Sequence, residues 1–195
     1  MSFLPIYTYN HAVLRKKAKP VRRVDESLVK FAADMLETMH TANGIGLAAN
    51  QVGSLQRMIV VDISGMESDR TPVESAQAEK SRVFLNPELV FEQGKVTIEE
   101  GCLSIPDIRE EVERAETIRV LYKDLDFKDQ ELEAGGILAR VILHEIDHLN
   151  GVLFIDRISA IKRKLLRGRL NKIARGEIEV VYPIVTPVSV AAEVG

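Results

Sequence analysis

Apolar residues recur at three- and four-residue steps over 26–41, where Leu28, Phe31, Ala32, Met35, Leu36 and Met39 would share one face of a helix. Asp25 stands at the N-cap position, and Asn43-Gly44 follows where glycine's left-handed freedom would end the helix. The same spacing predicts two more helices. One covers 137–149, opened by Gly135-Gly136 and closed by Asn150-Gly151; the other covers 160–175, capped by Ser159 and ended at Gly176. Between Arg82 and Glu133 the runs shorten to strand length, as in Val83-Phe84-Leu85, Glu88-Leu89-Val90-Phe91 and Thr117 to Tyr122. Turn residues separate them at Asn86-Pro87, Gln93-Gly94, Pro106-Asp107 and Lys123-Asp124, which predicts antiparallel hairpins rather than βαβ units. Met58 to Ile63 and Glu177 to Tyr182 are further strand candidates. Ser64 to Ser81 reads as a polar surface loop, and Pro183 and Pro187 break a tail expected to be extended over 182–195. With no internal repeat and no linker, the pattern predicts one α+β domain spanning 1–195.

Composition narrows the class. With 195 residues, 46% hydrophobic and 28% charged, the chain is neither disordered, nor collagen-like, nor a disulfide miniprotein. Its one cysteine cannot form an internal disulfide, which suits a reducing compartment. The stretch Met1 to Tyr7 has no basic region, long apolar run or cleavage site, and no apolar run approaches the roughly 18 residues of a membrane span. A cytoplasmic protein without a membrane partner is expected. A net charge of −3 excludes a chain-wide polycation, so DNA is not an expected partner. Charge is nevertheless segregated: Lys162, Arg163, Lys164, Arg167, Arg169, Lys172 and Arg175 crowd 162–175, a stretch without an acid. Ile161, Leu165 and Ile173 are expected to face the body, leaving a basic surface that is either a solvated face or a dock for phosphates.

The strongest chemical signal is His144-Glu145-Ile146-Asp147-His148. Residues i and i+4 share a helix face, so both imidazoles can bind one metal ion, with Glu145 beside them as a base. A catalytic metal wants a third protein ligand and an open position. A further histidine in the metzincin manner is missing, because Phe154 stands at its place after Gly151. A downstream acid would have to be Glu177 or Glu179, which fall in a strand candidate; His11 and His40 lack a supporting pattern. Cys102, in Glu100-Gly101-Cys102-Leu103-Ser104-Ile105-Pro106, suits the role better, since a thiolate beside two imidazoles accepts Zn²⁺ or Fe²⁺. An endopeptidase with Glu177 or Glu179 as ligand and a purely structural metal site both remain open. A third segment, Gly44-Ile45-Gly46-Leu47-Ala48-Ala49-Asn50-Gln51-Val52-Gly53, is glycine-dense enough to approach a ligand closely but lacks the ending of a phosphate loop.

Gly-Ile-Gly-Leu-Ala-Ala-Asn-Gln, Glu-Gly-Cys-Leu-Ser-Ile-Pro and His-Glu-Ile-Asp-His occur in this order, and together they resemble the three signature motifs of the peptide deformylase family. The resemblance runs from about Leu4 to about Arg175 and departs from the family pattern at Asn50, where Thr often stands. It implies an α+β fold of mostly antiparallel sheets around a central metal-binding helix, flanked by an N-terminal and a C-terminal helix. The implied activity is removal of the formyl group from the N-formylmethionine of nascent polypeptides, releasing formate. The implied cofactor is one divalent ion per chain, Fe²⁺ in the cell, with Zn²⁺, Ni²⁺ or Co²⁺ able to substitute. Carried onto this sequence, Cys102, His144 and His148 would hold the metal and Glu145 would be the general base and acid. Gln51 and the N–H of Leu103 would donate to the developing oxyanion. Ile45, Ile137 and Val141 would form an apolar pocket for the methionine side chain, with Gly46 and Gly101 also in the substrate site. Ribosome contact through the basic helix 160–175 completes the implied picture.

Overall fold

The computed structural model describes residues 3–66 and 81–187. In chain order its elements are β1 (Ile6–Tyr7), α1 (Glu26–Thr41), β2 (Gly46–Ala48), β3 (Met58–Val61), β4 (Arg82–Gln93), β5 (Val96–Cys102), β6 (Ile105–Arg114), β7 (Thr117–Lys123), β8 (Asp129–Gly135), α2 (Gly136–Leu149), α3 (Ala160–Ala174) and β9 (Ile184–Val185). Strands β2-β3-β4-β7-β8 make an antiparallel five-stranded sheet, β5-β6 a separate hairpin, and β1-β9 a parallel pair. The fold is α+β.

Helix α2 is buried on every side from Leu138 to Leu149. Ala139, Ile142, Leu143, Ile146 and Leu149 pack with Ile59, Val61, Phe84, Ile118, Val120 and Leu132 from the sheet in one core. The sheet presents that face because β7 and β8 alternate: Ile118, Val120, Leu132 and Ala134 point in, and Arg119, Glu131 and Glu133 point out. On the other side of β2 and β3, α1 buries Leu28, Ala32, Met35 and Met39 against Leu47, Met58 and Val60. Its N-cap is the expected one, with Asp25 accepting from the Leu28 N–H at 3.0 Å. Its left-handed exit residue is Asn43 at φ 55°, not Gly44.

Two expected turns lie inside strands. Strand β4 runs straight through Asn86-Pro87, where the register with β7 shifts between Leu85 and Glu88. Asn86 adopts φ 52° there, and its side chain bonds both the N–H and C=O of Val21, so the irregularity is a bulge that anchors a crossing segment. Pro106-Asp107 likewise falls within β6, and the hairpin turn is Leu103-Ser104.

The C-terminal third brings further corrections. Helix α3 follows its Ser159 cap as expected, but Leu166, Leu170 and Ile173 are its buried side chains. Ile161 and Leu165 are 75% and 80% exposed, so of the three expected inward residues only Ile173 is one. Glu177 to Tyr182 forms no strand; the strand here is β9, whose Ile184 and Val185 pair with Ile6 and Tyr7. The expected tail is therefore docked as far as Val185, and 188–195 lie outside the described residues. Most of the expected loop, 67–80, lies outside them too, while Met66 packs on the sheet core.

The two adjacent leucines of α3 offer a direct check on this packing. Leu166→Ala should cost about 2–4 kcal/mol, as buried leucine truncations do. Leu165→Ala should stay within about 0.5 kcal/mol. Urea denaturation of the two variants measures the difference, and equal losses would contradict the helix's rotation.

Candidate active site

His144 and His148, one turn apart on α2, face the end of β5, where Cys102 sits. One ligand atom from each of the three lies within 4.8 Å of the others. The Cys102 Sγ is 3.1 Å from the Nε2 of His148. On its far side the His144 ring donates from Nδ1 to Glu100 at 2.9 Å, which fixes its tautomer and leaves Nε2 for the cluster. The His148 turn is held from below, since the Asn50 side-chain amide donates to its carbonyl.

Glu100 is the buried centre of a charge network. It accepts from Arg114 at 2.9 Å and from Arg140 at 2.8 Å, and Arg114 reaches on to Asp147 at 2.6 Å. Arg157 closes the chain on the outer side of Asp147 at 2.5 Å. Burial alone would raise the Glu100 carboxyl, but the hydrogen bonds and charges of Arg114 and His144 hold it well below the usual carboxylate range. Burial likewise opposes protonation of His144, yet bonds to Cys102 and Glu100 push it up to about 10. His148 moves the other way, well below its ordinary value, because of burial and the neighbouring His144 charge. Positive charge is thus favoured on one imidazole of the cluster, His144, and disfavoured on the other, His148.

That donor set fits a divalent metal ion. Cys-His₂ provides three protein donors of the kind Zn²⁺ or Fe²⁺ takes and leaves a coordination position free. Glu177 and Glu179 do not join: Glu177 pairs with Arg175 at 2.6 Å, and Glu179 stands at the cleft mouth. His11 caps a short turn, accepting from Val13, and His40 pairs with Asp62 at 2.9 Å.

A cleft of about 670 Å³ opens on the cluster. Its walls include Ile45, Gly46, Gln51, Gly101, Cys102, Leu103, Ile137, Val141, His144 and Glu145, while His148 lies behind them, 1% exposed. Gly46 is there for want of space. A Cβ on it would lie 2.6 Å from both Glu145 Oε1 and Val141 Cγ1. Glu145 is 3% exposed, its Oε2 has no hydrogen-bond partner, and burial raises its carboxyl to about 7. Gln51 is oriented by the Ala48 N–H, which donates to its Oε1 at 2.7 Å. Its Nε2 then points to Ser104 Oγ at 3.3 Å and Cys102 Sγ at 3.6 Å.

A sequence model of the polypeptide deformylase family matches residues 3–164. The chain belongs to that family. A peptide deformylase from Salinibacter ruber is 48% identical over 184 residues, covering 94% of each protein. The crystal structure of a peptide deformylase from Legionella pneumophila superposes with a TM-score of 0.79 at 40% identity, covering 90% of this chain and 98% of that one. The peptide deformylase of Ehrlichia chaffeensis gives a TM-score of 0.82 at 36% identity, covering 90% and 99%. Deformylases are metal-dependent hydrolases that remove the formyl group from N-formylmethionine at the start of new polypeptides, and this is the activity of the chain. Four residues that hold this cluster in place had no individual role in the sequence reading: Glu100, Arg114, Arg140 and Asp147, while Asn50, noted there only as a departure from the family pattern, holds the His148 carbonyl. Buried charged residues on α2 were the available signal, since arginine and aspartate inside an apolar helix require partners.

Arg114→Met should destabilise the protein by about 3 kcal/mol or more, because two buried carboxylates lose a shared cation. Lys95→Ala, which breaks the exposed Lys95–Glu113 pair, should cost under about 0.5 kcal/mol. Thermal and urea melts of the two variants check the contrast.

Proposed function

We propose that Cys102, His144 and His148 hold one Fe²⁺ ion and that Glu145, Gln51 and the Leu103 N–H carry out the deformylation. The observation that supports this most directly is one thiol and two imidazole donors within 4.8 Å, beside a buried Glu145 carboxylate whose Oε2 has no partner among the described residues, in one cleft. When bound, the ion supplies Lewis acidity and brings the ionisation of water toward neutral pH. Glu145, with its carboxyl near 7, is suited to take the proton from the attacking water and return it to the departing amine. Water adds to the formyl carbon, the C–N bond breaks, and formate and a free methionine amine result. Negative charge develops on the formyl oxygen. The Gln51 Nε2, held in place through its Oε1, and the Leu103 N–H donate to it; one such donor is typically worth about 3 kcal/mol. Ile45, Ile137 and Val141 line the apolar part of the cleft and would receive the methionine side chain, with Gly46 and Gly101 along the substrate.

Cys102→Ser should sharply reduce bound metal, since a neutral hydroxyl replaces a thiolate. Glu145→Ala should keep its metal and lose about 10²-fold or more in kcat. Elemental analysis after anaerobic purification, together with formate release from formyl-Met-Ala, tests both. Full turnover in Glu145→Ala, or wild-type metal content and activity in Cys102→Ser, would reject the assignment, and an ion other than iron would correct the metal.

We infer a cytoplasmic enzyme that works at the ribosome. Among the described residues no helix is long and apolar enough to cross a membrane. Lys164 and Arg167 on α3 are exposed, make no ion pair among the described residues, and border a concave surface with Tyr9, Asn10 and Asn171. Phosphates of ribosomal RNA suit such a surface, and their binding weakens steeply with salt. The wild type should cosediment with ribosomes at low salt and the Lys164→Glu, Arg167→Glu double variant should not, while both deformylate free peptide; equal sedimentation would remove this part of the reading.

A further inference from the structure

Residues 177–182 follow α3 beyond position 164, where the family match ends. Four of them, Glu179, Val180, Val181 and Tyr182, border the cleft that contains Cys102, Leu103 and Glu145. The segment is pinned at both ends. At the start, the Glu177 N–H bonds the Lys172 carbonyl at 2.9 Å and Ile178 packs into the core beneath α3. At the finish, the Pro183 carbonyl accepts from Ile6 at 2.9 Å and β9 pairs with β1. Between these anchors the Tyr182 hydroxyl donates to the Leu103 carbonyl at 2.9 Å.

The outward side chains of this strap face the cleft opening. Val181 is 82% exposed at the rim of the cleft, where its side chain is open to whatever enters. Glu179 and Asp107, both at the cleft, make no ion pair among the described residues. Of the other acids of the lining, Glu99 faces Arg109 at 3.9 Å, Glu100 is bound to Arg140, and Glu145 lies buried at the floor of the cleft.

We propose that Glu179–Tyr182 is the wall that receives the peptide beyond its formylated methionine. Val181 contacts the apolar part of the two following residues, and Glu179 with Asp107 forms an acidic rim that favours a basic side chain there over an acidic one. Tyr182 is a positioning residue. By holding the Leu103 carbonyl it limits rotation of the turn whose N–H faces the formyl oxygen. This rests on the reading that deformylation takes place in this cleft.

The test compares kcat/KM of the full-length, metal-loaded enzyme on formyl-Met-Ala, formyl-Met-Ala-Lys and formyl-Met-Ala-Glu. The wild type should prefer the Lys peptide over the Glu peptide by about threefold at low salt, a preference that shrinks as salt rises. Glu179→Lys should abolish or reverse that ratio. Tyr182→Phe, which keeps the ring and loses the hydroxyl, should lower kcat on all three peptides by about tenfold with KM little changed, the signature of a contact felt mainly in the transition state. A Lys-to-Glu ratio identical in the wild type and Glu179→Lys overturns the wall, and unchanged kcat in Tyr182→Phe overturns the positioning role. Absence of formate release by the wild type from any of the three would instead reject the catalytic reading beneath it.

Discussion

The buried chain of charge from Glu100 through Arg114 to Asp147 joins the two pieces of backbone that the cleft requires. Glu100 lies two residues before Cys102 on β5, Arg114 ends β6, and Asp147 sits between the two histidines on α2. Arg140 adds a second link from α2, donating to Glu100 and to the carbonyls of Val96 and Val112 on the hairpin. Such groups carry a large desolvation cost, which is offset only when every partner is present in good geometry. The hairpin and helix therefore associate in one register or not at all. Register is what a thiol and two imidazoles within 4.8 Å demand.

A second constraint is the lack of a side chain at Gly46. Strand β2 passes over α2 so closely that any Cβ would enter the space of Glu145 and Val141. Gln51 and Glu145 line the same cleft, and the close packing leaves Glu145 only 3% exposed. The raised carboxyl follows from this packing, because burial is the largest influence on it. The close packing of strand on helix and the raised Glu145 carboxyl have one cause.

Much of this was legible in the residues themselves, and the failures have definite causes. The three helices and their Asp25 and Ser159 caps follow from local periodicity and hydrogen-bonding chemistry, and the structure has them. The i, i+4 spacing predicts one face for His144 and His148, and both rings lie with Cys102 within 4.8 Å of one another. Rotation of α3 was not legible: Leu165 and Leu166 are neighbours, two stripes fit the helical period, and only tertiary contact with Ile105 and Phe154 selects the second. Asn86-Pro87 and Pro106-Asp107 misled because residues that favour turns also favour bulges inside long strands. The Glu100 network joins residues 14 and 40 positions apart, beyond any local pattern. Gln51 and Leu103 drew attention only through motifs that resemble a known family.

The parallel pair of β1 with β9 ties Ile6 to Ile184, so β1 waits for a partner far along the chain. A ribosome making this protein releases its N-terminus long before residues 183–185 emerge, and Ile6 and Thr8 have no backbone partner from that segment until then. Closing so long a loop is entropically slow and comes after local hairpins and helices have formed. The strap beside Leu103 is laid down in that same closing step. A nascent copy of this deformylase therefore has its histidine helix and cysteine hairpin before it has a finished cleft, and the cleft is completed only once residues 183–185 have emerged to pair with β1.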